Sequence, residues 1–170
     1  MNILAQFSQI STLILDVDGV LTNSQVLITE QGHLLRSMSV RDGYAIACAI
    51  KAGLHIAIIT GGKSEGTTQR LKNLGITDIY TNARYKPDAF EELTLTYNLN
   101  KENILYMGDD IPDIAVMQQV GLPACPTDAT PEVKAICKYI SPYKGGEGCV
   151  RDVIEKILKL KNQWGHNYSW

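Results

Sequence analysis

Apolar residues in this chain fall in short unbroken runs, and between the runs they recur every three to four positions. The runs at 13–16, 56–60, 79–81, 104–108 and 122–125 do not alternate with polar residues. That is the pattern of parallel strands covered on both faces. The intervening spacing predicts helices over 42–52, 64–74, 87–97 and 112–120, with a last one over 146–161. Their ends carry the expected punctuation: Gly53 and Gly75 as stops, Ser64 as an N-cap, Pro87 in a first turn. Residues 26–29 and 34–38 flank Glu30-Gln31-Gly32-His33 and read as a β-hairpin. Thr130-Pro131-Glu132 opens a short helix, and Tyr139-Ile140 is a candidate last strand. Strands alternating with helices make βα units, so the expected class is α/β with a central parallel sheet. No repeat, low-complexity linker or second-domain boundary interrupts residues 1–170, which are expected to form one domain. The tail 162–170 has no periodicity and is expected to fray or to dock on a neighbouring subunit.

Composition narrows the class without naming a chemistry. The chain has 170 residues, 45% hydrophobic and 20% charged, ordinary for a globular domain with a substantial core. A formal net charge of −2 argues against a general nucleic-acid binder. Residues 1–11 lack a positive n-region and a long apolar h-region, so no signal peptide is expected. No apolar stretch approaches the ~20 residues that span a bilayer. The 4 cysteines (Cys48, Cys125, Cys137, Cys149) form no CxxC pair and read as buried or incidental thiols. The expected compartment is a reducing cytoplasm.

The chemistry gathers where the predicted strands end. The first run leads into Asp16-Val17-Asp18-Gly19, and residues two apart on a strand share a face. Two carboxylates so placed repel unless a cation or a shared proton lies between them. Taken alone, the pair is either a solvated turn or a divalent-metal site in which one carboxylate is a nucleophile. The second run ends in Thr60-Gly61-Gly62, the fourth in Gly108-Asp109-Asp110-Ile111-Pro112-Asp113, and Lys86 stands just before a predicted helix. A hydroxyl, an ammonium and clustered acids at the carboxyl edge of one sheet suit a phosphoryl group held by a metal ion and attacked by a carboxylate.

These segments resemble the motifs of the haloacid-dehalogenase superfamily of phosphatases. Asp16-Val17-Asp18-Gly19-Val20 has the DxDx[TV] pattern; Thr60, Lys86 and the Gly108–Asp113 segment match the other three motifs. With the short chain, Val40-Arg41-Asp42-Gly43-Tyr44 and the Gly145–Asp152 segment narrow the likeness to a capless tetrameric branch acting on phosphorylated sialic-acid-like sugars. The resemblance covers about 13–160. It implies a single Rossmann-like three-layer domain with a projecting hairpin and no cap, assembled as a homotetramer with active sites near subunit interfaces.

The resemblance also implies roles. Asp16 is the nucleophile, Asp18 the general acid and base, and Thr60 and Lys86 complete the catalytic set. Mg²⁺ is held by the Asp16 carboxylate, the Asp18 backbone carbonyl and Asp109, with Asp110 and Asp113 behind them. Substrate contacts fall to Asp18, Ser39, Val40, Arg41, Asp42, Gly43, Thr60, Gly61, Arg70 and Lys86, with Arg70 reaching a site in an adjoining subunit. The glycines at 145–148 are candidates to reach a neighbouring active site or simply to lead into the last helix. Several relatives carry arginine where this chain has Ala47 and Gly62, which removes positive charge from the sugar side. The implied activity is hydrolysis of an eight-carbon sugar-acid phosphate in lipopolysaccharide precursor synthesis, favoured by Val40–Tyr44. Alternatives are the same reaction on a nine-carbon sugar acid and a non-catalytic tetramerisation module.

Overall fold

The computed structural model describes residues 2–165. Helix α1 (Ile3–Gln9) leads into strand β1 (Thr12–Leu15), whose residues are all buried. A small hairpin of β2 (Leu27–Ile28) and β3 (Leu34–Leu35) follows, then α2 (Val40–Lys51), β4 (His55–Ile59) and α3 (Glu65–Asn73). The rest is β5 (Asp78–Tyr80), α4 (Lys86–Thr96), β6 (Ile104–Met107), α5 (Ile114–Met117), β7 (Leu122–Cys125), α6 (Pro131–Ile136), β8 (Tyr139–Ile140) and α7 (Cys149–Leu160).

The main sheet has six strands in the order β5-β4-β1-β6-β7-β8, every pairing parallel. The chain builds outward from β1 in one direction through β4 and β5, then returns to β6 and builds the other way. Strand β1 therefore stands at the switch point, where an open α/β sheet leaves a crevice at its carboxyl edge. Alternation along β1 serves two cores: Leu13 and Leu15 pack with α1, α2 and α7, and Ile14 packs with Phe90, Leu93, Val116 and Met117 of α4 and α5. Both faces are covered, which explains strands that read as unbroken apolar runs. Among the described residues no helix is long and apolar enough to cross a membrane.

Three elements differ from the sequence reading. Helix α1 has no counterpart there; seven residues are too few to show periodicity, and its support comes from the Asn2 side chain capping Leu4 N and from Phe7 in the core. The helix expected over 112–120 is a 3₁₀ turn (Ile111–Asp113) running into the short α5. Asp110 and Asp113 form a reciprocal capping box there, which tightens the first turn. The hairpin is shorter than expected, two residues per strand, closed by Gly32 at φ +82°. In the tail, Trp164 packs edge-on against Tyr44 of its own chain at 6.3 Å; residues 166–170 lie outside the described residues.

Phe7 is fully buried and meets Tyr139 edge-to-face at 5.0 Å, so α1 anchors the far side of the domain. Phe7→Ala is expected to cost about 3 kcal/mol, measured as a shift in the chemical-denaturation midpoint with turnover of the folded fraction retained.

Candidate active site

The sheet's carboxyl edge brings the motif residues together. Asp16 follows β1 directly and is tied to β6 by its N–H, which donates to the Met107 carbonyl at 3.1 Å. Its Oδ1 accepts from Val17 N at 2.7 Å, leaving Oδ2 to face Lys86 Nζ at 3.0 Å. Thr60 follows β4, donates its N–H to the Tyr80 carbonyl and accepts the Gly62 N–H on Oγ1 at 3.2 Å. Its hydroxyl hydrogen stays available to an incoming oxygen. A pocket of about 300 Å³ opens here, lined by Asp16, Asp18, Thr60, Gly61, Lys86 and Asp109 among others.

Lys86 is the pivot. It opens α4, is only 4% exposed, and lies between Asp16 and Asp113, 2.6 Å from Asp113 Oδ1. Burial alone would lower its pKa, but Asp16 and then Asp113 outweigh that and hold it above the ordinary value, so the ammonium stays charged. Asp113 is in turn fully committed. Its Oδ1 also accepts the Tyr106 hydroxyl at 2.7 Å, and its Oδ2 accepts Asp109 N at 3.1 Å and Asp110 N at 3.4 Å. Asp110 is exposed and caps Ile111 N.

The acids fit a cation. Carboxylate oxygens of Asp16, Asp109 and Asp113 lie within 4.8 Å of one another. Burial, then Asp113, pushes the Asp16 carboxyl up to about 6 against the pull of Lys86. Burial, then Asp16 and Asp113, pushes Asp109 up to about 7. Burial and crowded like charge raise both groups, a strain that a bound cation would relieve. An all-oxygen donor set suits a hard divalent ion such as Mg²⁺. Because four hydrogen bonds occupy Asp113, Asp16 and Asp109 are the side chains with lone pairs to spare. Asp109 sits over Gly19, which has φ +91°; a β-carbon at Gly19 would fall 2.0 Å from Asp109 Oδ2. Gly145 is equally constrained, with its β-carbon position 2.0 Å from the Gly19 carbonyl oxygen. The glycine segment thus buttresses the Asp16 loop of its own chain, with Gly146 N donating to the Val20 carbonyl at 2.9 Å.

Other expected residues lie elsewhere in the single chain. Ser39 and Arg41 line a separate cavity of about 430 Å³ with Tyr143, Glu147, Arg151 and Glu155. Val40 is exposed, while Asp42 is buried and accepts the Arg151 N–H at 2.8 Å, locking α2 to α7. Gly43 leaves room for Arg70, whose Nη2 would be 2.6 Å from a β-carbon at that position. Neither Ser39–Gly43 nor Arg70 borders the phosphoryl pocket. The sequence reading did not single out two nearby cations, one lining the pocket and one meeting it only through Asp18. Arg84 lines the pocket directly. Arg36, just after β3, holds Asp18 with both prongs, Nε to Oδ1 at 2.6 Å and Nη2 to Oδ2 at 3.0 Å.

Residues 73–154 match the model of the haloacid dehalogenase-like hydrolases. A 3-deoxy-D-manno-octulosonate 8-phosphate phosphatase of Yersinia pestis is 38% identical over 162 residues, 95% of this chain and 87% of that protein. The chain belongs to the haloacid dehalogenase-like hydrolases. The fold agrees: a crystal structure of the Yersinia pestis phosphatase superposes with a TM-score of 0.93 at 36% identity, covering 96% of this chain and 89% of that one. The Moraxella catarrhalis 3-deoxy-D-manno-octulosonate 8-phosphate phosphatase, crystallised with magnesium, phosphate and the sugar acid, superposes with a TM-score of 0.90 at 31% identity, covering 94% of this chain and 91% of that one. Among the described residues the six-stranded domain carries the small two-stranded hairpin and no separate cap.

The raised carboxyls predict how metal affects stability. Between the ordinary aspartate value of 3.8 and about 7, the folded protein holds protons that the unfolded chain has released. Metal-free stability therefore falls as pH rises through that window, and a cation offsets the fall. Millimolar Mg²⁺ is expected to raise the thermal midpoint more at about pH 8 than at about pH 5. An equal or larger rise at the lower pH would contradict the assignment of Asp16 and Asp109 as ligands.

Proposed function

We propose that the protein is a Mg²⁺-dependent phosphatase that hydrolyses 3-deoxy-D-manno-octulosonate 8-phosphate to the free sugar acid and phosphate, a step in lipopolysaccharide precursor synthesis. The observation that carries this reading is the likeness to phosphatases of that name along nearly the whole chain. The Asp16–Lys86–Asp113 arrangement supplies the chemistry.

Asp16 Oδ2 attacks phosphorus, forming an aspartyl-phosphate as the bond to the sugar oxygen breaks. Asp18 gives its proton to the departing oxygen, then takes one from the water that hydrolyses the acyl phosphate. Lys86 keeps Asp16 ionised and offsets phosphoryl charge, and Asp113 with Tyr106 keeps Lys86 aimed. Thr60 donates to a phosphoryl oxygen, with the backbone at Gly61 beside it. Asp16, the Asp18 carbonyl and Asp109 would hold Mg²⁺, which when bound neutralises phosphoryl oxygens and draws charge from phosphorus.

The chain works as one domain in the cytoplasm and assembles as a homotetramer. What supports assembly is the hairpin, which exposes Leu27 (69%), Ile28 (65%), Leu34 (48%) and Leu35 (50%) on two short strands that cannot stand alone. Within such an assembly Ser39, Val40, Arg41 and Arg70 contact substrate in a neighbouring site, while the buried Asp42 and Gly43 hold α2 in place. Leu27→Asp with Leu35→Asp is expected to convert the tetramer to smaller species in light-scattering chromatography. An unaltered mass would remove the hairpin from the interface.

The reading is tested by kcat/KM for the eight-carbon ester and for the nine-carbon 3-deoxy nonulosonate 9-phosphate, with Asp16→Asn as control. A preference for eight carbons of at least tenfold, about 1.4 kcal/mol, is expected, with turnover abolished in the control. The reverse preference would reassign the substrate. Folded protein without Mg²⁺-dependent turnover would favour a non-catalytic assembly module.

A further inference from the structure

Asp18 has to hand a proton to the departing oxygen, yet both of its oxygens are occupied. Arg36 takes them in a two-pronged contact at 2.6 and 3.0 Å, and its Nη1 donates to the Leu34 carbonyl at 3.3 Å. The pair is asymmetric: the Arg36 side chain is 8% exposed and that of Asp18 38%. The guanidinium reaches Asp18 from the hairpin, 18 positions further along the chain. Gly62 borders the pair: a β-carbon there would lie 3.3 Å from Asp18 Oδ2, a tight approach, and 3.5 Å from Arg36 Nη2, an ordinary contact.

Charge around the pocket gives the contact a direction. Asp16, Asp18, Asp109, Asp110 and Asp113 face two lining cations, Arg84 and Lys86. Lys86 is consumed by Asp16 and Asp113. A substrate with a carboxylate besides its phosphate brings further negative charge towards this acidic rim. A planar guanidinium pairs as well with that carboxylate as with Asp18, because both present the same two-oxygen edge.

We propose that Arg36 is a specificity-determining residue: its guanidinium exchanges an Asp18 oxygen for the carboxylate of the sugar acid, so that the freed oxygen takes a proton from solvent water and passes it to the departing sugar oxygen. Phosphate esters without a carboxylate leave Asp18 held and are turned over slowly. The inference rests on the reading of Asp18 as proton donor and of the substrate as a sugar-acid phosphate.

The test compares 3-deoxy-D-manno-octulosonate 8-phosphate with ribose 5-phosphate, which lacks a carboxylate but also leaves as an alkoxide in need of a proton. In Arg36→Ala, kcat/KM for the octulosonate ester is expected to fall tenfold or more while that for ribose 5-phosphate rises. The ratio of the two then drops at least tenfold, and Arg36→Lys, which keeps the charge without the planar fork, recovers part of it. The thermal midpoint of each variant checks that the loss is not unfolding. A ratio within threefold of wild type in both variants would overturn the inference while leaving the phosphatase reading intact. Wild-type protein that fails to hydrolyse the octulosonate ester would overturn both.

Discussion

A buried ammonium between two carboxylates organises this molecule. Lys86, 4% exposed, reaches Asp16 at 3.0 Å and Asp113 at 2.6 Å. Removing either partner would strand charge in a low-dielectric site, where an unpaired ion is far more costly than a lost surface contact. Each member arrives from a different element: Asp16 from the end of β1, Lys86 from the start of α4, Asp113 from the turn before α5. The triad therefore forms only when β1 and β6 are paired and α4 is docked. It also sets the polarity of the site, since Lys86 spends its charge on Asp16 and Asp113 and leaves Asp109 short of a counter-charge. The account of metal binding rests on that imbalance.

The fold supplies the second constraint, which is closeness. Asp109 can approach the Asp16 loop because residue 19 has no side chain, and that loop is braced from behind because residue 145 has none. A methyl group at either point would collide at 2.0 Å. A site for a small, highly charged group has to be tight and dry, since a carboxylate–phosphoryl pair is governed by distance and local dielectric. The strand order places this compression at the switch point, where β1, β4 and β6 end side by side.

Much of this was legible in the chain. Strands buried on both faces betray themselves as unbroken apolar runs, and Asp16, Thr60, Lys86 and Asp109 stand at the ends of such runs or at a helix start, where placement follows from the local element. What escaped depends on partners distant in sequence or on very short segments. Arg36 looks like any hairpin arginine until Asp18 is seen against it. The capping box at Asp110 and Asp113 turned an apparently continuous helix into a tight turn, because the side chains bind backbone instead of solvent. Ser39–Gly43 carries a motif of moderate specificity, yet Ser39 and Arg41 line a separate cavity and the buried Asp42 holds Arg151.

The central claim is that Asp16 takes the phosphoryl group while Lys86 and Asp113 hold it in place. Rapid acid quench during turnover of the octulosonate ester, followed by peptide mass spectrometry, tests it most directly. The account predicts one phosphoryl group on the peptide containing Asp16, absent in Asp16→Asn. Turnover with no phosphorylated peptide, or with the group on another residue, would contradict it.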